Sequence, residues 1–249
     1  MEAPRTLVLL PYSPWSERAR WALDHHRLAY RTIVHAPVIG ERRLRKLVAG
    51  RVRPATVPVL IEGETVLTDS WDIAAHADRV GAGPALLAEG RVEEAKRWAG
   101  VCDAAMCGGR ALVVAGLLRT PAALDESMPP AVPRWIRVLS RPVNRWGTGW
   151  FGRKYGVSLA GVADHEATLR AGLAAVRAGL AGADYLLGGF TYADIAAATL
   201  LQGVSPVADR YIPMGPATRT VWTQPGLAAE FADLLAWRDE IYSRHRIGV

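Results

Sequence analysis

The chain has 249 residues, half of them hydrophobic and 22% charged, a profile that buries a core and excludes a disordered or low-complexity protein. Its formal net charge of +6 comes from 30 basic against 24 acidic residues spread along the sequence, with no recognisable nucleic-acid module. Cys102 and Cys107 are too few for a disulfide framework, and no Cys-x-x-Cys or His-x-x-x-His pair is present; a reducing compartment, buried thiols and no metal are expected.

In chain order, Leu7–Leu10 is a short apolar run suited to a buried strand, without the basic flank and length of a signal peptide. Pro11 breaks it, a polar turn Tyr12-Ser13-Pro14-Trp15-Ser16 follows, and a basic amphipathic helix runs on to His25 and His26. A strand feeding a helix through such a turn sets hydroxyls beside unpaired backbone N–H groups and the positive end of the helix dipole, a place that favours an anion. Tyr30–Val34 alternates as a half-buried strand, and Glu41–Val48 reads as a short surface helix. The densest basic group is Arg42, Arg43, Arg45, Lys46, Arg51 and Arg53. Thr56–Thr68 holds two β-branched runs joined by Glu62-Gly63-Glu64, the signal of a hairpin, and Asp69 or Ser70 then caps a helix through Arg79. The order β-α-β-α-β-β-α predicts a small mixed sheet carrying helices.

Gly81-Ala82-Gly83-Pro84 reads as a linker between a domain at 1–81 and an all-helical domain at 88–249. Helices are expected over 90–118, 163–180, 191–204 and 226–244. Segment 119–158, with Pro121, Pro129, Pro130, Pro133 and Pro142, reads as irregular with one short helix near 132–146. Its Trp135, Trp146, Trp150 and Phe151 are candidates to line an apolar pocket or to cover the helical core. The longest strongly apolar run, Ala111–Leu118, is too short to span a bilayer, so no membrane span and a cytoplasmic location are expected.

Two further features bear on chemistry. Pro58 lies inside an apolar strand, where proline marks either an edge or a cis bond after Val57 that turns the Val57 backbone towards a ligand. Asp69-Ser70 offers a carboxylate, a hydroxyl and free N–H groups at one helix start. Taken with the Tyr12–Ser16 turn, with Val57-Pro58-Val59-Leu60 and with Leu67-Thr68-Asp69-Ser70, the sequence resembles the cytosolic glutathione S-transferase superfamily. Phe190-Thr191-Tyr192-Ala193-Asp194-Ile195-Ala196 is similar to that family's helix-capping motif, in which Thr191 caps the helix and Asp194 reaches back to the cap N–H.

The resemblance implies a thioredoxin-like glutathione-binding domain followed by an all-α domain, and glutathione as co-substrate. It implies that Ser13 donates to the glutathione sulfur, with Tyr12 and Ser16 as open alternatives. Trp15, Val57, Pro58, Asp69 and Ser70 would contact glutathione, and Arg43 or Arg45 is a candidate for its glycyl carboxylate. The implied activity is conjugation of glutathione to a hydrophobic electrophile by a homodimer without nucleic acid. The alternatives are a non-catalytic binding protein of the same fold, or a glutathione-dependent peroxidase, dehalogenase or isomerase.

Overall fold

The computed structural model describes residues 4–48, 54–126, 128, 133–157 and 161–247. Arg51 and Arg53 of the basic group, and Pro129 and Pro130, lie outside the described residues.

The chain forms two compact units. The first is drawn from Met1–Gly100, Gly179–Thr199 and Trp237–Val249, so it takes in more than the sheet and its own helices. Its sheet has the order β2-β1-β3-β4, with β1 at Thr6–Leu9, β2 at Arg31–Val34, β3 at Val59–Glu62 and β4 at Thr65–Leu67. Strand β2 is parallel to β1, whereas β3 is antiparallel to β1 and to β4. Every residue of β1 is buried, which is why that strand reads as an unbroken apolar run and not an alternating one. β2 lies at the sheet edge and is largely exposed, where alternation had suggested half burial. Gly63 turns the β3–β4 hairpin at φ +57°, a conformation a side chain would resist.

One sheet face carries Val8 and Val59, packed with Leu44, Val48 and Ala55 around the short helix α2 (Glu41–Leu47). Helices α1 (Pro14–His25) and α3 (Ser70–Val80) pack against each other, burying Trp21, Ala22, Leu23, Ile73, Ala74 and Ala77. The two histidines that end α1, in its last turn and at its C-cap, also latch the following linker. His25 Nε2 bonds the Pro84 carbonyl at 2.8 Å, while His26 accepts from the Gly83 N–H at 3.2 Å and meets Asp78 at 2.5 Å.

The second unit, Val101–Ala178 and Leu200–Ala236, is helical. Helix α4 (Val92–Arg119) enters it from the first unit. Among the described residues α4 is the one helix long and apolar enough to cross a membrane by length and composition, and 56% of its most apolar window is buried inside the protein, as in a core helix. Cys102 on α4 is buried but Cys107 is exposed, so the expectation of two buried thiols holds for one of them.

Among the described residues, segment 119–158 is mostly helical where irregular structure was expected. It forms α5 (Pro121–Glu126), α6 (Arg134–Leu139) and α7 (Arg141–Lys154). Pro121 and Pro142 occupy first-turn positions and Pro133 stands just before α6, where a missing N–H costs nothing. Trp135 and Trp146 are exposed and belong to no core. Helices α8 (Val162–Leu180) and α9 (Tyr192–Leu200, extended by a 3-10 turn Leu201–Gly203) follow. A further helix, α10 (Pro216–Trp222), had no counterpart in the sequence reading, and the final helix breaks at Phe231 into α11 (Pro225–Glu230) and α12 (Ala232–His245).

Candidate functional site

The strand directions put three loops at one end of the sheet. β1 ends there and leads through the Tyr12–Ser16 turn into α1. β3 runs antiparallel to β1, so its entry at Val57-Pro58 is at that same end; β4 reverses again and delivers Asp69-Ser70 there. Since the strands are neighbours in the order β1-β3-β4, the three loops line up along the sheet edge. Two helix N-termini, of α1 and α3, open at this edge, and the unpaired N–H groups of a first helical turn favour negative charge.

Ser13 is the N-cap of α1. It is half-buried, and its Oγ accepts from the Ser16 N–H at 3.4 Å, leaving the hydroxyl proton for donation. Ser16 is fully buried and its Oγ accepts from the Leu10 N–H at 3.2 Å, which commits it to holding the turn against β1. Tyr12 and Trp15 are half-buried in the same turn. One turn further along α1, the buried Arg18 sets its guanidinium 5.9 Å from the Trp15 ring centre and donates from Nε to Thr199 Oγ1 at 2.9 Å.

The Val57–Pro58 peptide is cis, with Pro58 buried and Val57 packed against the α2-side core. Asp69 is the N-cap of α3: exposed, with Oδ1 accepting from the Trp71 N–H at 2.7 Å. Ser70 is buried, and its Oγ accepts from the Tyr192 hydroxyl at 3.0 Å. The Tyr192 ring also meets Trp71 edge-to-face at 5.2 Å. Arg43 and Arg45 are exposed on α2; Arg45 Nε donates to the Glu41 carbonyl at 3.4 Å. The structure thus lines up Ser13, Trp15, Val57, Pro58, Asp69 and Ser70 at one sheet edge and turns Ser16 inwards.

The residue that sequence reasoning passed over is Tyr192. It was read only as part of a capping motif, yet it fixes the hydroxyl of Ser70. A tyrosine directly after a cap threonine was the available signal, because a buried phenol seeks a partner. The capping motif itself forms with one role exchanged. Asp194 accepts from the Thr191 N–H at 2.8 Å, from the Thr191 hydroxyl at 3.0 Å and from the Leu186 N–H at 2.8 Å, so Thr191 is a donor to the carboxylate and not the expected side-chain cap. Burial pushes the Asp194 carboxyl above its ordinary range, against the pull of these donors.

A four-stranded mixed sheet with a cis-proline loop and helices on both faces is a thioredoxin-like domain, here followed by a helical unit. Residues 7–85 match the family model for the glutathione S-transferase N-terminal domain. No curated protein matches the sequence.

Solved structures share the fold along nearly the whole chain. A glutathione S-transferase from Xanthobacter autotrophicus is 18% identical, covers 98% of this chain and 96% of its own, and has a TM-score of 0.63. A glutathione S-transferase from Methylobacterium radiotolerans, in complex with glutathione sulfonate, is 20% identical over 97% of this chain and 91% of its own, with a TM-score of 0.60. Glutaredoxin 2 from Salmonella typhimurium, in complex with glutathione, is 16% identical over 99% of this chain and 96% of its own, with a TM-score of 0.54.

Proposed function

We propose that the protein binds glutathione along the β1-β3-β4 sheet edge and conjugates it to a hydrophobic electrophile. The observation that carries this reading is the alignment of Ser13, Val57-Pro58 and Asp69-Ser70 on one edge, beneath two helix N-termini. Asp69 and Ser70 would take the γ-glutamyl amine and carboxylate, the Val57 backbone the cysteinyl part, and Arg43 or Arg45 the glycyl carboxylate.

The chemistry required of the site is modest. A free thiol has a pKa of about 8.5, so little of it is thiolate at neutral pH. The Ser13 hydroxyl, donating at the mouth of α1, would stabilise the thiolate and lower that value. The thiolate then forms a C–S bond with the electrophile and expels its leaving group. Serine at position 13 forms no mixed disulfide, so the disulfide exchange of a glutaredoxin is disfavoured. A homodimer in the cytoplasm and a role in detoxification accompany this reading as parts of the same proposal.

The deciding experiment pairs retention on immobilised glutathione with conjugation of an aryl halide. Ser13→Ala is expected to lower kcat/KM by about 10²-fold, the range of one donor to a developing anion, with glutathione affinity little changed. An unchanged rate removes Ser13 from its role.

A second reading keeps the same fold without turnover, because a fold does not by itself fix an activity. In that reading the chain binds glutathione or apolar ligands without turnover. Calorimetry showing glutathione binding, with no conjugation of any aryl halide, would establish it.

A further inference from the structure

Helices α6 and α7 turn their apolar sides outwards. On α6, Trp135 is 65% exposed and Leu139 72%, with Val138 exposed beside them; on α7, Val143 is 68% exposed and Trp146 57%. The spacings are i, i+3, i+4 on α6 and i, i+3 on α7, so each helix shows a stripe and not a scatter of single side chains. In an ordinary core helix that stripe faces inwards. Large apolar side chains gathered on an exposed face mark an interaction surface.

The charged residues on these two helices themselves have one sign. Between Glu126 and Asp164 the sequence holds no acidic residue, while Arg134, Arg137, Arg141, Arg145, Arg153 and Lys154 all fall within it. Arg141 is neutralised by a two-pronged pair with Asp125 at 2.6 and 2.9 Å. Arg145 donates only to the Leu118 carbonyl, which leaves its charge standing. Arg153 is exposed and makes no ion pair among the described residues. Lys154 lies 5.7 Å from the Trp150 ring centre and 5.4 Å from that of Tyr155.

We propose that the α6–α7 face docks on the surface of an anionic lipid bilayer, as a peripheral contact independent of the glutathione site. Exposed tryptophan and leucine on one side of a short helix, flanked by arginine and free of carboxylates, is the pattern of a helix that lies in a bilayer interface. Arginine and lysine gain from the negative potential of such a surface, and tryptophan is the side chain best suited to headgroup depth. Charge also argues against a second copy of the chain as the occupant. A two-fold contact sets the same patch against itself and would press these cations together. A nucleic acid would satisfy the arginines and leave Leu139 and Val143 without a role.

The test is co-sedimentation of the full chain with vesicles of phosphatidylcholine alone or mixed with phosphatidylglycerol, at about 0.1 M and about 0.5 M salt. Binding is expected to the anionic vesicles at the lower salt and to fall about tenfold at the higher. A Trp135→Ala/Trp146→Ala variant, checked for an unchanged helical circular dichroism spectrum, is expected to lose it by a similar factor. Arg145→Glu/Arg153→Glu is expected to lose the preference for anionic lipid. Equal binding to both vesicle types, or none at low salt, overturns the proposal. So does concentration-dependent self-association that the tryptophan variant abolishes, or binding to a polynucleotide that the tryptophan variant retains.

Discussion

The hydroxyl of Tyr192, the first residue of α9, donates a 3.0 Å hydrogen bond to the hydroxyl of Ser70, the first residue of α3, across 122 residues of sequence. Because the Ser70 oxygen is the acceptor, its own proton is left to point elsewhere. If Ser70 holds the γ-glutamyl carboxylate, Tyr192 aims the donor. Tyr192→Phe is expected to weaken glutathione binding about fivefold to tenfold, corresponding to roughly 1 kcal/mol for one lost hydrogen bond. A double-mutant cycle with Ser70→Ala, read by calorimetry, checks whether the two losses are shared. Independent losses would sever Tyr192 from ligand binding.

The stability of the first unit depends on Arg246. Its guanidinium sits 2.7 Å from Glu17 and 2.7 Å from Asp24, and the Arg246 and Glu17 side chains are both 0% exposed. Arg20 lies 3.2 Å from the second Glu17 oxygen without the alignment of a hydrogen bond. Arg246→Ala would leave the buried Glu17 with the Arg20 contact alone, at an expected cost of about 3 kcal/mol. Urea denaturation of the variant measures this. A Glu17→Gln/Arg246→Met double variant is expected to recover much of the loss, since replacing both partners removes the buried charge.

Acid should loosen the same unit through two histidines. Burial holds the His25 imidazole below its ordinary value of 6.5, and burial followed by the charges of His25 and Arg244 does the same for His245. When the folded value is the lower one, the unfolded chain binds more protons in between, so stability is complete above about 6.5 and falls as pH drops below it. His245 also bonds the Tyr185 hydroxyl at 2.9 Å and stacks on Phe190 with ring centres 3.9 Å apart. Melting curves between pH ~7.5 and ~5.5 should show Tm falling with acid, and His245→Asn should flatten that slope while lowering Tm at the upper end. A slope identical to the parent's would exclude His245 as a contributor.

In the helical unit, α10 takes its cap from another helix. Glu126, the last residue of α5, accepts from the Ala217 N–H at 3.0 Å and the Thr218 N–H at 2.7 Å. Burial pushes its carboxyl up, but these two donors outweigh it and hold it below the ordinary range. Gly215 makes room: a Cβ there would run into the Glu126 carboxyl group. Gly215→Ala is expected to cost about 1 kcal/mol by displacing the cap. Glu126→Gln keeps the shape but leaves one acceptor oxygen for two N–H groups, so it should cost at least as much, and its thermal shift relative to Gly215→Ala tests the assignment.

Much of the first unit could be read from sequence because its signals are local. The Leu7–Leu10 run, the Glu62-Gly63-Glu64 turn and the Asp69 cap each act within a few residues, and all appear as expected. The prolines of 119–158 misled because proline suppresses a helix interior yet suits its first turn, and residue type alone does not say which position it holds. Ser13 and Ser16 could not be separated by spacing, since their difference is burial. The Tyr192–Ser70 contact was beyond reach for another reason: it depends on how α9 meets α3, which no local pattern encodes.

The Arg246–Glu17 pair spans 229 residues, and the Trp21 indole likewise donates to the His245 carbonyl at 3.1 Å. Helix α1 therefore gains the closest cation to its buried Glu17 only when the segment after α12 folds back against it. A fragment cut after the sheet would contain every residue of the β1-β3-β4 edge but lack the guanidinium that sits 2.7 Å from Glu17. Grafting that edge onto another scaffold would require the distant tail to travel with it.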